Sequence, residues 1–215
     1  MSDSSKKWLA RQKKDPYVKL SHKEGVRSRA VYKLREIQDK HRVISKGMRI
    51  MELGAAPGSW TMEIASWVGK SGEIFAVDRL PMAEIKDVKI ICVDIETEEF
   101  KKWLEKTIAP DGVDVVVSDM APDMCGHKQT DQLRSTGLCE SVSDIAQASL
   151  RNGGSLLMKA FHGIGFDELV KQLRKKFKVV KLVKPDASRR SATEMYILAK
   201  GFLKSNSSGS AKYGE

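Results

Sequence analysis

Four charged residues occupy positions at which an α/β protein could carry out proton chemistry. Asp119 follows the most hydrophobic predicted strand, and Lys159 follows the next strand along the chain. Lys33 lies in a basic segment before the first strand, and Glu194 begins the last one. A lysine at the end of a buried strand is unfavourable unless it is paired or functional. Because ligands bind at the carboxyl ends of parallel strands, Asp119 and Lys159 are candidates for a site at that edge.

The loop after the first predicted strand could hold a ligand against the backbone. It reads Gly54-Ala55-Ala56-Pro57-Gly58-Ser59-Trp60. Small residues allow close approach of a ligand, but a dinucleotide loop would have a glycine at Ala56 and an amide at Pro57 for the pyrophosphate. The loop therefore favours a nucleoside without a pyrophosphate, such as S-adenosylmethionine, over a nicotinamide dinucleotide. A plain strand-to-helix turn is the alternative.

Two further acidic residues follow the next two predicted strands. Asp78 ends the second strand and Asp94 ends the third. A carboxylate at the first of these positions can accept hydrogen bonds from both ribose hydroxyls of a nucleoside. Asp94 is placed to accept a hydrogen bond from an adenine amino group. Either residue could instead cap a following helix.

Short apolar runs alternate with helical patterns from residue 48 onward. The predicted strands are 48–53, 73–77, 89–93, 113–117, 155–158, 179–183 and 195–199. The predicted helices are 28–41, 60–68, 98–106, 133–150 and 166–177, the fourth of which should end at Asn152-Gly153-Gly154. This alternation predicts an α/β fold with a mostly parallel seven-stranded sheet and helices on both faces. The last two strands leave no room for a crossover helix, so the last strand should be antiparallel.

The chain divides by composition into three segments. We expect a basic N-terminal arm over 1–26, one domain over 27–203 and a disordered Ser/Gly-rich tail over 204–215. Trp8 and Tyr17 of the arm could stack on bases or pack on the domain, and the sequence leaves both open.

The positive charge of the chain is concentrated in two zones. The formal net charge is +10, and Lys/Arg are most frequent in residues 1–40 and 171–190. Such zones indicate a polyanionic partner such as RNA, although a solvated basic face without a partner would look the same. The residues of these zones expected near the site are Arg27, Arg29, Arg35, Lys175, Lys176, Lys181, Lys184, Arg189 and Arg190.

The cysteines and the apolar runs argue against a disulfide-rich protein, a metal-binding protein and a membrane-spanning protein. The 3 cysteines are odd in number and form no CxxC pair, so we expect no disulfide framework and a reducing, cytoplasmic compartment. Cys125 and His127 lack further ligand candidates, so we expect no metal site. The sequence has no apolar run long enough for a membrane span, and its N-terminus lacks the apolar centre of a signal peptide.

Four segments together resemble the FtsJ/RrmJ family of ribose 2′-O-methyltransferases, and in particular its members that act on a uridine of large-subunit ribosomal RNA. The segments are the Gly-Ala-Ala-Pro-Gly-Ser-Trp loop, Ser-Asp-Met-Ala-Pro at 118–122, Leu-Met-Lys-Ala-Phe at 157–161 and Ser-Arg-Arg-Ser-Ala-Thr-Glu-Met-Tyr at 188–196. The similarity extends over about residues 27–202. It implies a Rossmann-like class I methyltransferase fold, S-adenosylmethionine as the methyl donor, and a monomer that acts on ribosomal RNA within the large subunit.

The resemblance also implies roles for individual residues. The family's catalytic Lys-Asp-Lys-Glu set corresponds to Lys33, Asp119, Lys159 and Glu194, with Lys159 as the proton acceptor. Its cofactor-binding positions correspond to Gly58, Trp60, Asp78, Asp94 and Asp119.

The protonation state of Lys159 decides how it would act. Burial and a neighbouring cation favour a neutral amine, whereas neighbouring carboxylates favour the ammonium. Lys159 could therefore remove the hydroxyl proton as a base, or polarise the hydroxyl as a cation. The sequence leaves both roles open.

Two other functions are compatible with the same motifs. A transfer-RNA ribose 2′-O-methyltransferase of the same superfamily would use the same four residues. A catalytically idle, RNA-binding ribosome assembly factor would keep the fold, but the intact set of four argues against it.

Overall fold

One seven-stranded sheet forms the centre of the molecule. The computed structural model describes residues 15–188 and 193–204. The strands are β1 Arg49–Leu53, β2 Glu73–Asp78, β3 Lys89–Cys92, β4 Val113–Ser118, β5 Leu150–Phe161, β6 Phe177–Val183 and β7 Glu194–Phe202. The predicted number of strands is confirmed.

The sheet has the order β3-β2-β1-β4-β5-β7-β6. The pairs among β1 to β5 are parallel, and β7 lies antiparallel between β5 and β6. The predicted α/β class and antiparallel last strand are thus confirmed. In this register Lys159 of β5 lies opposite Tyr196 of β7, so β7 runs beside the strand that carries the candidate base.

Helices cover both faces of the sheet, as predicted. They are α1 Pro16–Glu24, α2 Ala30–His41, α3 Ser59–Val68, α4 Glu98–Trp103, α5 Lys128–Ser149 and α6 Phe166–Lys176, and α4 continues into a π-helical turn over Leu104–Ile108. Leu34 of α2 and Ile64 of α3 pack in the core on one face. Val142 of α5 and Leu169 of α6 pack in the core on the other.

The largest departure from the predicted elements is at the start of β5. The helix predicted over 133–150 begins earlier, at Lys128, and ends at Ser149, next to its predicted end. The Asn-Gly-Gly segment, expected to separate this helix from a strand that begins at 155, does not lie between them. Those residues lie within β5, where the register with β4 shifts between Val113 and Val115. Gly153 has a φ of 82° in this irregular stretch, a conformation that glycine adopts without steric cost.

Part of the predicted N-terminal arm is helical. Asp15 accepts a hydrogen bond from Tyr17 N–H at the start of α1. The Tyr17 ring packs against the Tyr32 ring at 5.5 Å, so Tyr17 lies on the domain. Trp8, Arg189, Arg190 and the tail residues from 205 onward lie outside the described residues. None of the helices in the described ranges is long and apolar enough to cross a membrane.

Candidate active site

A pocket of about 560 Å³ opens at the carboxyl ends of the parallel strands. This volume lies within the usual range for small-molecule sites. Asp78, Asp94 and Asp119 all line it, together with Gly54 and Ala56 of the loop after β1. Three of the predicted cofactor-binding residues therefore meet in one cavity.

The loop after β1 is fixed against β2. Gly54 and Ala55 donate backbone hydrogen bonds to Val77 O at 2.9 and 3.1 Å. Ala56 N–H donates to Asp78 Oδ2 at 2.9 Å. A Cβ on Gly54 would lie 2.2 Å from Met120 Cγ, and Gly54 has a φ of +78°. Glycine is therefore required where the loop passes the wall of the pocket.

The two acidic residues that follow β2 and β3 keep capacity for a ligand. Asp78 Oδ1 accepts Leu80 N–H at 2.8 Å, and Asp94 Oδ1 accepts Glu96 N–H at 3.0 Å. A carboxylate has about four acceptor sites, so each side chain can accept further hydrogen bonds. The residue that caps α4 is Thr97, whose hydroxyl accepts Phe100 N–H, so Asp94 is not explained as a helix cap.

Gly58 and Trp60 stand apart from the pocket lining. The Trp60 side chain is buried, donates its indole N–H to Ala30 O at 2.8 Å and packs against Tyr196 at 5.8 Å. The indole therefore joins α3 to α2 rather than reaching a ligand. Gly58 precedes α3 with a φ of +97°, and a Cβ there would lie 2.7 Å from Arg27 Nη1. A ligand could contact the backbone of these residues at the N-terminus of α3. The first amides of a helix lack hydrogen-bond partners within that helix.

Lys159 is held against Asp119. Its Nζ donates to Asp119 O at 2.5 Å and to Asp119 Oδ1 at 3.1 Å. The two side chains are 10% and 19% exposed, so the pair is largely removed from solvent yet borders the pocket through Asp119. The pairing of these two strand ends, expected from the sequence, is present.

Lys33 and Glu194 form a second buried pair. Lys33 Nζ lies 2.6 Å from Glu194 Oε1, and the Ser188 hydroxyl donates to the same oxygen at 2.9 Å. Burial alone would raise the pKa of Glu194, but Lys33, Lys159 and the Ser188 hydrogen bond together lower it. Glu194 is therefore a carboxylate at neutral pH, and the charge of Lys159 acts on it as well.

Tyr196 connects the two pairs, and sequence reasoning missed it. Its hydroxyl donates to Asp119 Oδ1, and Lys33 Nζ lies over its ring at 5.9 Å from the centroid. Burial, with the nearby Asp119 and Glu194 carboxylates, raises the pKa of Tyr196 well above its usual value, so the phenol keeps its proton. Side chains two apart on a strand share a face, and this spacing from Glu194 was the available signal.

Glu52 is a second residue that sequence reasoning missed. It is the residue before the last of β1 and is buried, and its Oε2 accepts the Thr61 hydroxyl of α3 at 2.7 Å. Burial raises the pKa of Glu52 to about 8. The hydrogen bond from Thr61 opposes this rise, and the charges of Asp119 and Asp78 add to it. A charged residue type at the end of an apolar strand was the signal.

Metal-ligand clusters are not found in the described part of the chain. Asp131 Oδ1 instead accepts a hydrogen bond from Cys125 N–H at 2.7 Å, and the Cys125 thiol lies 3.2 Å from the same oxygen. Cys125 therefore takes part in fixing its own loop.

Comparisons with known proteins place the chain in one family. The FtsJ-like methyltransferase family matches residues 26–202. A ribosomal RNA large subunit methyltransferase E from Acidithiobacillus ferrooxidans is 45% identical over 201 residues, which are 94% of this chain and 91% of the relative. A solved Plasmodium falciparum chain assigned as a ribosomal RNA methyltransferase has a TM-score of 0.73 and 28% identity over 82% of this chain and 98% of its own.

A more distant solved structure shares the fold. Aeropyrum pernix fibrillarin, which was solved with natively bound S-adenosyl-L-methionine, has a TM-score of 0.58 and 20% identity, with coverage of 80% of this chain and 74% of its own. At this identity the similarity extends to the Rossmann-like architecture alone.

Proposed function

The chain belongs to the FtsJ-like methyltransferase family, and from this premise we propose that it transfers a methyl group from S-adenosylmethionine to the ribose 2′-hydroxyl of a uridine in large-subunit ribosomal RNA. The observation that carries this function is that Tyr196 joins the Lys159–Asp119 and Lys33–Glu194 pairs beside a nucleoside-sized pocket, which Asp119 lines. The names of the relatives favour ribosomal over transfer RNA. We further propose that the protein acts as a monomer, in the cytoplasm, on RNA within the large subunit.

The pocket residues suit S-adenosylmethionine. Asp78 would accept the ribose hydroxyls, and Asp94 the adenine amino group, since both carboxylates have acceptor sites left. The free amides at the N-terminus of α3, among them that of Trp60, would bind the carboxylate of the methionine part. Gly58 allows the chain to turn into that helix. When bound, the cofactor supplies a methyl group already activated on a sulfonium, so the protein need not activate a leaving group.

Lys159 would act on the hydroxyl to be methylated. Two of its hydrogen bonds go to Asp119. A neutral amine with two N–H groups donated in this way keeps a lone pair that can accept the hydroxyl proton, whereas an ammonium keeps a third N–H that can polarise the oxygen. Asp119 orients Lys159 in either case. General base catalysis contributes about 10² to 10⁴-fold, and alignment of the two reactants can contribute about 7–11 kcal/mol of the barrier.

Lys33 and Glu194 would complete the site from the other side. Lys33 places a positive charge over the ring of Tyr196, whose hydroxyl donates to the Asp119 carboxylate that also accepts from Lys159. The Glu194 carboxylate accepts hydrogen bonds from Lys33 and Ser188. It thereby fixes Lys33 to β7. The closeness of these charges supports a site that works as a unit, and it argues against the idle assembly factor.

The function can be tested by measuring ribose-methylated nucleosides. Ribosomal RNA from cells that lack the protein should lose one 2′-O-methyluridine in mass spectrometry of nuclease digests. The purified protein with S-adenosylmethionine should restore the modification on large subunits from those cells, and Lys159→Ala protein should not. Restoration on transfer RNA instead of ribosomal RNA would replace this substrate with the alternative.

A further inference from the structure

An ion pair joins two loops across the pocket. Arg79 follows β2 and Asp123 follows β4, and Arg79 Nη2 lies 3.1 Å from Asp123 Oδ2. Both residues line the pocket. Because β1 lies between β2 and β4, and neighbouring strands are about 4.8 Å apart, the two side chains span a gap of roughly 10 Å. The pair therefore passes over the end of β1, where the cofactor loop begins.

The loop that carries Asp123 is anchored to α5. Arg134 Nη1 donates to Asp123 O at 3.0 Å. Asp131 accepts Cys125 N–H at 2.7 Å and Gly126 N–H at 3.0 Å. These three hydrogen bonds fix the loop on its α5 side. On its β2 side, the loop is joined through the Arg79–Asp123 pair, whose side chains are 60% and 83% exposed.

Asp123 is the neighbour that acts most strongly on Arg79. Its hydrogen bond with Asp123, and more weakly the charges of Asp94 and Asp78, raise the pKa of Arg79. The guanidinium is directed to Asp123, so the carboxylates of Asp78 and Asp94 remain available to a ligand inside the pocket. An exposed pair of this kind is weak enough to open.

We propose that Arg79 and Asp123 form a clasp, defined as this ion pair, which retains the cofactor and opens to release the demethylated product. The inference rests on the proposed function, because it takes the pocket to be the S-adenosylmethionine site. Lid opening limits turnover in many enzymes. Breaking an exposed ion pair should accelerate release about two- to fivefold.

The test measures the dissociation rate of S-adenosylhomocysteine from the full-length protein by surface plasmon resonance. Arg79→Ala and Asp123→Ala should each raise this rate about two- to fivefold, and the double variant should be no faster than the faster single variant, because both changes remove one interaction. The exchanged variant Arg79→Asp with Asp123→Arg should recover slow release. Added salt should accelerate release from the wild type more than from the single variants.

The Lys101–Glu98 pair provides the matched control. It is an ion pair on α4 whose side chains are 59% and 75% exposed, which matches the exposure of the clasp, and it does not line the pocket. Lys101→Ala and Glu98→Ala should leave release unchanged. Wild-type rates in both clasp variants, or rates that multiply in the double variant, would overturn the clasp. Failure of the wild type to bind S-adenosylhomocysteine would instead overturn the cofactor assignment.

Discussion

Lys159 is constrained by one neighbour in two ways. Both the backbone carbonyl and the carboxylate of Asp119 accept hydrogen bonds from its Nζ. The lysine side chain therefore cannot move away without breaking both hydrogen bonds. The one position on Nζ that is not used by these bonds or by the bond to Cε points in a defined direction. The same residue, Asp119, also lines the pocket, so the orientation of the lysine and the wall of the cofactor site depend on one side chain.

Replacement of Lys159 should separate chemistry from cofactor binding. We expect Lys159→Ala to lower the single-turnover rate about 10² to 10⁴-fold, while calorimetry shows unchanged S-adenosylmethionine affinity. Lys159→Arg should be equally inactive if the lysine is a base, because a guanidinium stays protonated. Partial activity of the arginine variant would identify a polarising cation, and an active alanine variant would refute both roles.

Glu52 should make folding stability depend on pH. The usual pKa of this carboxyl is 4.5, and burial raises it to about 8 in the folded chain. Between these values the unfolded chain loses the proton and the folded chain keeps it, so the contribution of Glu52 to stability is highest below about pH 4.5 and falls as the pH rises to about 8. The fall should be on the order of a few kcal/mol.

Denaturant unfolding of Glu52→Gln at several pH values checks this expectation. The amide cannot ionise and can still accept the Thr61 hydroxyl, so the decrease in stability should largely disappear. Glu99→Gln, at an exposed position of α4, should keep the wild-type profile. The same decrease in Glu52→Gln as in wild type would show that Glu52 is not responsible.

At the scale of elements, the site residues at the strand ends could be predicted from the sequence. The contact between Lys33 and Glu194 was harder to predict. Asp119 and Lys159 follow apolar runs that are strands in the structure, so their meeting at one edge followed from the parallel order. Lys33 and Glu194 are 161 residues apart in sequence, and periodicity alone contained no sign of their contact. It was the family resemblance that paired them.

Two elements escaped prediction for local reasons. The Asn152–Gly154 stretch has the composition of a turn, and it forms the irregular part of β5 between Leu150 and Ser155, which pair with Val113 and Val115 of β4. Helix α1 has few apolar residues and starts from Pro16 with an Asp15 cap, a signal hidden within a basic segment. For the first, the strand pairs on either side determine where the stretch lies, whereas the second follows from its own residue types.

Helix α2 should position β7 through Glu36. Glu36 Oε2 accepts Asp186 N–H at 2.8 Å and Ala187 N–H at 3.4 Å, just before the segment that leads to Glu194. Loss of this acceptor should displace Glu194 and Lys33. We expect Glu36→Ala to lower kcat about fivefold, the effect of roughly 1 kcal/mol.

The matched variant for this prediction is Glu36→Gln. Its carbonyl oxygen can still accept both amides, so most of the rate should remain. Steady-state kinetics should show the loss in kcat, and cofactor affinity should not change because Glu36 does not line the pocket. Equal rates for the alanine and glutamine variants would contradict a positioning role.

On the scale of the whole molecule, positive charge gathers at the β6 edge of the sheet. Lys178 and Lys181 of β6 are exposed. Burial, followed by the charges of Lys181 and Lys200, lowers the pKa of His41. Burial and Lys181 likewise lower the pKa of Lys200. A phosphate backbone bound here would reduce the electrostatic repulsion between these cations. This supports RNA binding at this edge.

Removal of two of these lysines should therefore weaken RNA binding in a salt-dependent way. Each phosphate contact contributes about 0.7 to 0.9 to the slope of log K against log salt, so Lys178→Ala with Lys181→Ala should reduce the slope by up to about 1.8. The measurement is fluorescence anisotropy of a transcribed large-subunit RNA fragment between low and high salt, with cofactor affinity as a check on folding.

Lys101→Ala with Lys102→Ala removes the same charge from α4, which follows β3 at the opposite edge of the sheet. That control should change the slope less, because a general loss of net charge acts on both variants whereas contact with phosphate acts on one. Equal slopes for the two double variants would show that the β6 edge attracts RNA no more than the rest of the surface does.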